Sequence, residues 1–124
     1  MSVAILRQGD VLIASIRADL SDGQLLALRD DLAERTGADR IRGVVLDVGA
    51  LDVIDSFVAR SLRSIVEALR LRGTETVIVG IRPDVAIAMV QFRLNLEALR
   101  AVLDLDEAVA LLDQLTDRED ADGG

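Results

Sequence analysis

Asp47, Asp52, Asp55 and Ser56 stand close together in the stretch Leu46-Asp47-Val48-Gly49-Ala50-Leu51-Asp52-Val53-Ile54-Asp55-Ser56-Phe57. Those residue types leave a short menu of chemistry. A serine is a nucleophile only when a base activates it, and the chain has no histidine from which to build a Ser-His-Asp triad. Without cysteine there is no thiol nucleophile, disulfide or soft-metal site. All 14 basic residues are arginine, so a Schiff-base lysine and a P-loop lysine are missing too. No catalytic residue is expected. Ser56 is left to cap a helix or to accept a phosphate, and the carboxylates to bind magnesium or to charge a surface.

The flanking segments decide where this serine stands. Gly43-Val44-Val45-Leu46-Asp47-Val48 is a short apolar, β-branched run, the pattern of a fully buried strand. Behind it, Val58, Leu62, Ile65 and Leu69 recur at helical spacing, with Arg60, Arg63, Glu67 and Arg70 between them and Gly73 as a left-handed stop. The spacing puts Ser56 at or next to a helix N-cap. There its hydroxyl can accept an orphan backbone N–H, and a phosphate would meet the positive end of the helix dipole. A plain N-cap would account for Ser56 by itself. Asp52 and Asp55 beside the helix start, with Phe57 and Val58 immediately after it, are more than a cap needs and suit a docking surface.

The remaining elements follow from the same rules. Val3 to Leu6 and Val11 to Ile16 read as strands joined at Gly9-Asp10. Ser21-Asp22-Gly23-Gln24 has capping-box spacing and opens a helix with Leu25, Leu28 and Leu32 inward, ending near Gly37. Thr76 to Val79 is a further buried strand. Pro83 sits at N1 of a third helix that faces inward with Val85, Met89 and Phe92 and leaves through a left-handed Asn95. An extended piece from Ala101 to Leu103 precedes a last helix with Asp104 and Glu107 at capping-box spacing and Ala108, Leu111, Leu112 and Leu115 inward. The order ββαβαβαβα predicts an α/β domain, a mixed β-sheet with parallel pairing in its middle packed with about four helices.

At 124 residues and 51% hydrophobic content, one domain is expected over residues 1–116, followed by an acidic, disordered tail over 117–124. A net charge of −8 and only two aromatic residues, Phe57 and Phe92, argue against nucleic acid as a partner. No apolar run approaches membrane-spanning length, so a cytoplasmic protein with no membrane partner and no cofactor is expected. Two other readings stay open. Asp47, Asp52 and Asp55 could form a magnesium cluster at the carboxyl end of the strands, as in a receiver-like domain. That pattern needs an acidic pair after the first strand, where Ile16-Arg17 stands, and a late lysine. The charged stripe of the second helix is either a solvated face with Arg63 and Glu67 paired, or a surface on which Arg60 and its neighbours meet an acidic partner.

Asp52-Val53-Ile54-Asp55-Ser56-Phe57-Val58-Ala59, together with Gly80-Ile81-Arg82-Pro83-Asp84-Val85-Ala86 and Leu103-Asp104-Leu105, resembles the STAS domains of bacterial anti-sigma-factor antagonists. The resemblance covers nearly the whole chain. Related free antagonists follow their Asp-Ser pair with a small residue and then glycine. Phe57-Val58 here are closer to the stressosome scaffold branch. The resemblance implies a non-enzymatic STAS-like domain with Ser56 as its phosphoserine. It also implies partner contacts around Asp52, Asp55, Phe57, Val58 and Arg60, and a serine switch kinase held until Ser56 is phosphorylated. Larger STAS paralogues, a phosphatase acting on Ser56 and a homo- or hetero-oligomeric assembly belong to the same implication. A free antagonist that binds an anti-sigma factor would share the fold and the serine.

Overall fold

The computed structural model describes residues 5–38, 40–93 and 100–123, the backbone alone from 116 on. Its elements are β1 (Ile5–Gln8), β2 (Val11–Ser15), α1 (Asp22–Ala38), β3 (Gly43–Asp47), α2 (Ser56–Leu71), β4 (Glu75–Val79), α3 (Pro83–Gln91), β5 (Ala101–Val102) and α4 (Leu105–Gly123). The strands form one sheet in the order β1-β2-β3-β4-β5, with β1 antiparallel to β2 and every other pair parallel. This is the expected α/β architecture. A receiver-like sheet would insert its first strand between later ones, and this sheet runs in chain order.

Both faces of the inner strands are covered, which is why they read as continuous apolar runs. Leu12, Ala14, Val44, Leu46 and Ile78 face a main core that also holds Leu25, Leu28 and Leu32 of α1, Leu62, Ile65 and Leu69 of α2, and Val85 and Met89 of α3. Val11, Val45, Val77 and Val79 face a smaller core closed by Ala108 and Leu112 of α4. The period-2 alternation of a strand produces this sorting by parity.

Most local signals hold. In the capping box of α1, Ser21 N–H donates to Gln24 Oε1 at 2.8 Å and Gln24 N–H donates to Ser21 Oγ at 3.2 Å. At the end of α2, Gly73 has φ +79°, with Thr74 N–H donating to the Leu69 carbonyl and Gly73 N–H to that of Arg70, each at 3.0 Å. That pair of bonds is a Schellman stop. Pro83 begins α3, and Glu107 N–H donates to Asp104 Oδ1 at 2.9 Å at the start of α4.

Other expectations are corrected. The first strand, Ile5–Gln8, runs past Leu6 to Gln8, which pairs with Val11 and confines the turn to Gly9-Asp10, and Val3 and Ala4 lie outside the described residues. Phe92 does not belong to the inner face of α3. It is the residue after the last helical turn and is 39% exposed. Arg93, at φ 62°, makes the left-handed exit, and Asn95 lies outside the described residues. The last helix, α4, runs from Leu105 through Gly123. Gly43 and Gly80 are both places of close approach. A Cβ on Gly43 would lie 2.6 Å from Leu112 Cδ2, and one on Gly80 would lie 3.1 Å from the Gly49 backbone.

Candidate functional site: the loop into the second helix

The site begins where β3 ends at Asp47. The backbone turns back at once, with Leu51 N–H donating to the Val48 carbonyl at 2.9 Å. Val48, Leu51 and Ile54 are buried at every third position, while Asp52 and Val53 stand out between them, Val53 at 74% exposure. The loop is therefore a pinned hump. Neighbouring loops brace it: Asp47 Oδ1 accepts from Gly49 N–H at 2.9 Å, and Arg82 Nε donates to the Gly49 carbonyl at 3.2 Å. Gly80, at φ +79°, fits against Gly49 because neither carries a side chain.

Asp55, not Ser56, caps α2. It has extended backbone (φ −100°, ψ 176°), and its Oδ1 accepts from Val58 N–H at 2.8 Å. Both residue types are strong caps, but only the one in the extended conformation outside the first turn can reach the third helical N–H. Ser56 is the first helical residue. It is exposed, and its hydroxyl makes no hydrogen bond among the described residues.

The predicted site residues fall on two sides of this loop. Asp52, Asp55 and Val58 line one groove of about 220 Å³ together with Val53, Arg17 and Leu20. Ser56 and Arg60 line a second cleft of about 320 Å³ with Arg63, Phe92 and Arg93. Phe57 lines neither. It and Val58, the two residues that suited a docking surface, are half-buried and pack against the main core, so Phe57 is at least partly structural. The expected pair between Arg63 and Glu67 does not form among the described residues. Arg63 Nη2 donates instead to the Arg93 carbonyl at 2.7 Å, because the chain leaving α3 presents that acceptor across the groove.

Asp47, Asp52 and Asp55 do not converge: among the described residues no three or more acidic side chains form a group able to hold a metal ion. Asp47 and Asp55 are committed to backbone N–H groups instead. Val53, Leu51 and Ile54 are parts of the site that sequence reasoning passed over. The apolar period of three in Val48-Leu51-Ile54, with Val53 off that period, is the signal that could have found them.

A STAS-domain family profile matches residues 2–108. The chain belongs to the STAS-domain family. Among solved structures, this STAS domain is similar to a serine-to-glutamate variant of RsbS from Moorella thermoacetica, with a TM-score of 0.83 and 30% identity over 92% of this chain and 97% of that one. It is similar also to a chain of the stressosome, described as a signal integration and transduction hub. The TM-score is 0.82, with 31% identity over 91% of this chain and 98% of that one. Among curated relatives, the RsbT co-antagonist protein RsbRC of Bacillus subtilis (strain 168) is 37% identical over 71 residues, which is 57% of this chain and 25% of the relative. The STAS domain thus spans about a quarter of that relative's length, but nearly the whole of the similar RsbS chain. Among the described residues no helix is long and apolar enough to cross a membrane.

Proposed function

We propose that this STAS protein is a non-catalytic, phosphorylation-controlled scaffold of the RsbS type, working in the cytoplasm. It holds an RsbT-like serine switch kinase within an oligomer shared with RsbR-like STAS paralogues and releases the kinase when Ser56 is phosphorylated. A phosphatase acting on Ser56 resets it. The observation that carries this reading is that Ser56 is exposed on a braced hump while Asp55 does the capping, so the Ser56 hydroxyl is left without a hydrogen bond among the described residues. Similarity to RsbS and to a stressosome chain along nearly their whole lengths adds to it.

The chemistry is group transfer to Ser56. Its Oγ attacks the γ-phosphorus of the kinase-bound nucleoside triphosphate, the bond to the β-phosphate oxygen breaks, the nucleoside diphosphate leaves, and the hydroxyl proton passes to a base of the kinase. About −1.5 to −2 charges then appear beside exposed Asp52 and Asp55. A partner seated on Asp52, Val53, Asp55 and Arg60, with Phe57 and Val58 beneath, must desolvate that phosphate, and like-charge contacts there cost several kcal/mol. Release on this account needs no change of fold.

Incubation with an RsbT-type kinase followed by mass spectrometry is expected to find one dominant phosphate, on Ser56. In a pull-down, the kinase should bind wild type and Ser56→Ala and lose affinity for the phosphorylated chain. A dominant phosphate elsewhere, or equal affinity for all three forms, overturns the reading. A chain that stays small beside RsbR-like proteins and captures an anti-sigma factor instead would be a free antagonist.

A further inference from the structure

The cleft beside Ser56 is lined by three arginines from two elements. Arg60 and Arg63 follow Ser56 on one face of α2, one and two turns on, and Arg93 comes from the exit of α3. Asp52 and Asp55 line the opposite groove, so neither acid of the loop lines the arginine cleft. The Arg63 guanidinium is already oriented by its bond to the Arg93 carbonyl, and that bond uses only Nη2. Arg60 and the Arg93 side chain make no ion pair among the described residues. An ordinary solvated face would disperse these charges or pair them with Glu67. This one gathers them at a hydroxyl.

We propose that this cleft receives the phosphate of Ser56 itself, a phosphate monoester dianion bound in cis by Arg60 and Arg63 with Arg93 as the far wall. The proposal rests on the reading of Ser56 as the modified residue and adds what the phosphate does there. In the unmodified chain Arg60 is exposed and open to an acidic partner. Once the phosphate forms, charge-assisted hydrogen bonds draw the same arginines inward. The partner then loses cationic contacts at the moment it meets an anion, so release works by withdrawal as well as by repulsion. Arg60 and Arg63 are positioning residues for the phosphorylated state.

The test is a ³¹P NMR pH titration of the full chain with phosphoserine incorporated at position 56 during translation, which makes it independent of any kinase. Exposed phosphoserine has a second pKa of about 6. Asp52 and Asp55 push this value up, whereas Arg60, Arg63 and Arg93 push it down. The expected result is a value lower by about half a unit or more than in Arg60→Gln/Arg63→Gln, with Arg60→Gln alone giving part of the difference. Arg60→Gln removes no side-chain hydrogen bond among the described residues, so it carries the test even if the double variant does not fold. A pKa that is the same in wild type and Arg60→Gln overturns the proposal. Failure of a kinase to modify Ser56 would sink the regulatory reading while leaving this titration intact, so the two failures are distinguishable.

Discussion

At the scale of single residues, structural and regulatory duties fall on neighbours. Asp55 holds the helix start through Val58 N–H, and the Ser56 hydroxyl makes no hydrogen bond among the described residues. Asp55→Ala should therefore cost about 0.5–2 kcal/mol, the usual loss of a cap, while Ser56→Ala should stay within about 0.5 kcal/mol of wild type. Urea unfolding of both variants checks this, and the reverse order would return the cap to Ser56. Phe57 has a mixed duty. Its ring packs on the main core but keeps part of its surface in solvent, so Phe57→Ala should cost about half of the 3–5 kcal/mol of a fully buried ring. Thermal melts set beside a kinase-binding titration separate the two shares. A loss of stability with unchanged affinity per folded molecule would leave Phe57 with packing alone.

At the scale of elements, two glycines decide how closely neighbours approach. Gly80 combines φ +79° with a 3.1 Å approach of its notional Cβ to Gly49, so Gly80→Ala meets strain from both sources. A left-handed non-glycine residue costs roughly 1–2 kcal/mol before any contact is counted. The variant should lose at least that much in denaturant unfolding and, because Gly49 belongs to the loop before Ser56, should also weaken kinase binding per folded molecule. Stability lost with affinity unchanged would show that the brace does not reach Ser56. The elements themselves were legible because their signals are local: strand runs buried on both faces, capping boxes at Ser21 and Asp104, Pro83, Gly73. The place of Ser56 was legible because it marks the change from a period of two to a period of 3.6. The choice between Asp55 and Ser56 as cap was not, since adjacent residues of nearly equal preference differ only in backbone angles set by the loop. Nor was the meeting of Arg63 with Arg93, because 30 residues separate them and no local pattern encodes that approach.

At the scale of the whole molecule, one sheet carries two unequal cores, and among the described residues α4 is the helix that closes the smaller. Two kinds of contact hold it there. Arg42 bridges Asp10, at 2.7 Å, and Asp113 of α4, and its hydrogen bonds to Asp10 and then Asp113 raise its pKa above the usual arginine value. A cation with a raised folded pKa stabilises at every pH below its unfolded value and loses that contribution only in strong alkali. The clasp therefore stays closed across the whole physiological range. Both acids are about half-exposed, so screening limits its worth, and Arg42→Gln should cost about 1 kcal/mol or less. Leu112 is fully buried against Gly43, and Leu112→Ala should cost about 2–5 kcal/mol. Burial decides the docking of α4. Gly43→Ala alone forces a Cβ to within 2.6 Å of Leu112 and should cost about 1–3 kcal/mol by overpacking. In the Leu112→Ala background the same Cβ enters the space the leucine has left. The double variant should then be more stable than the sum of the single losses by about 0.5–3 kcal/mol, the range for residues in contact. Chemical denaturation of the four proteins closes the cycle, and strict additivity would mean that Leu112 does not rest on Gly43 in solution.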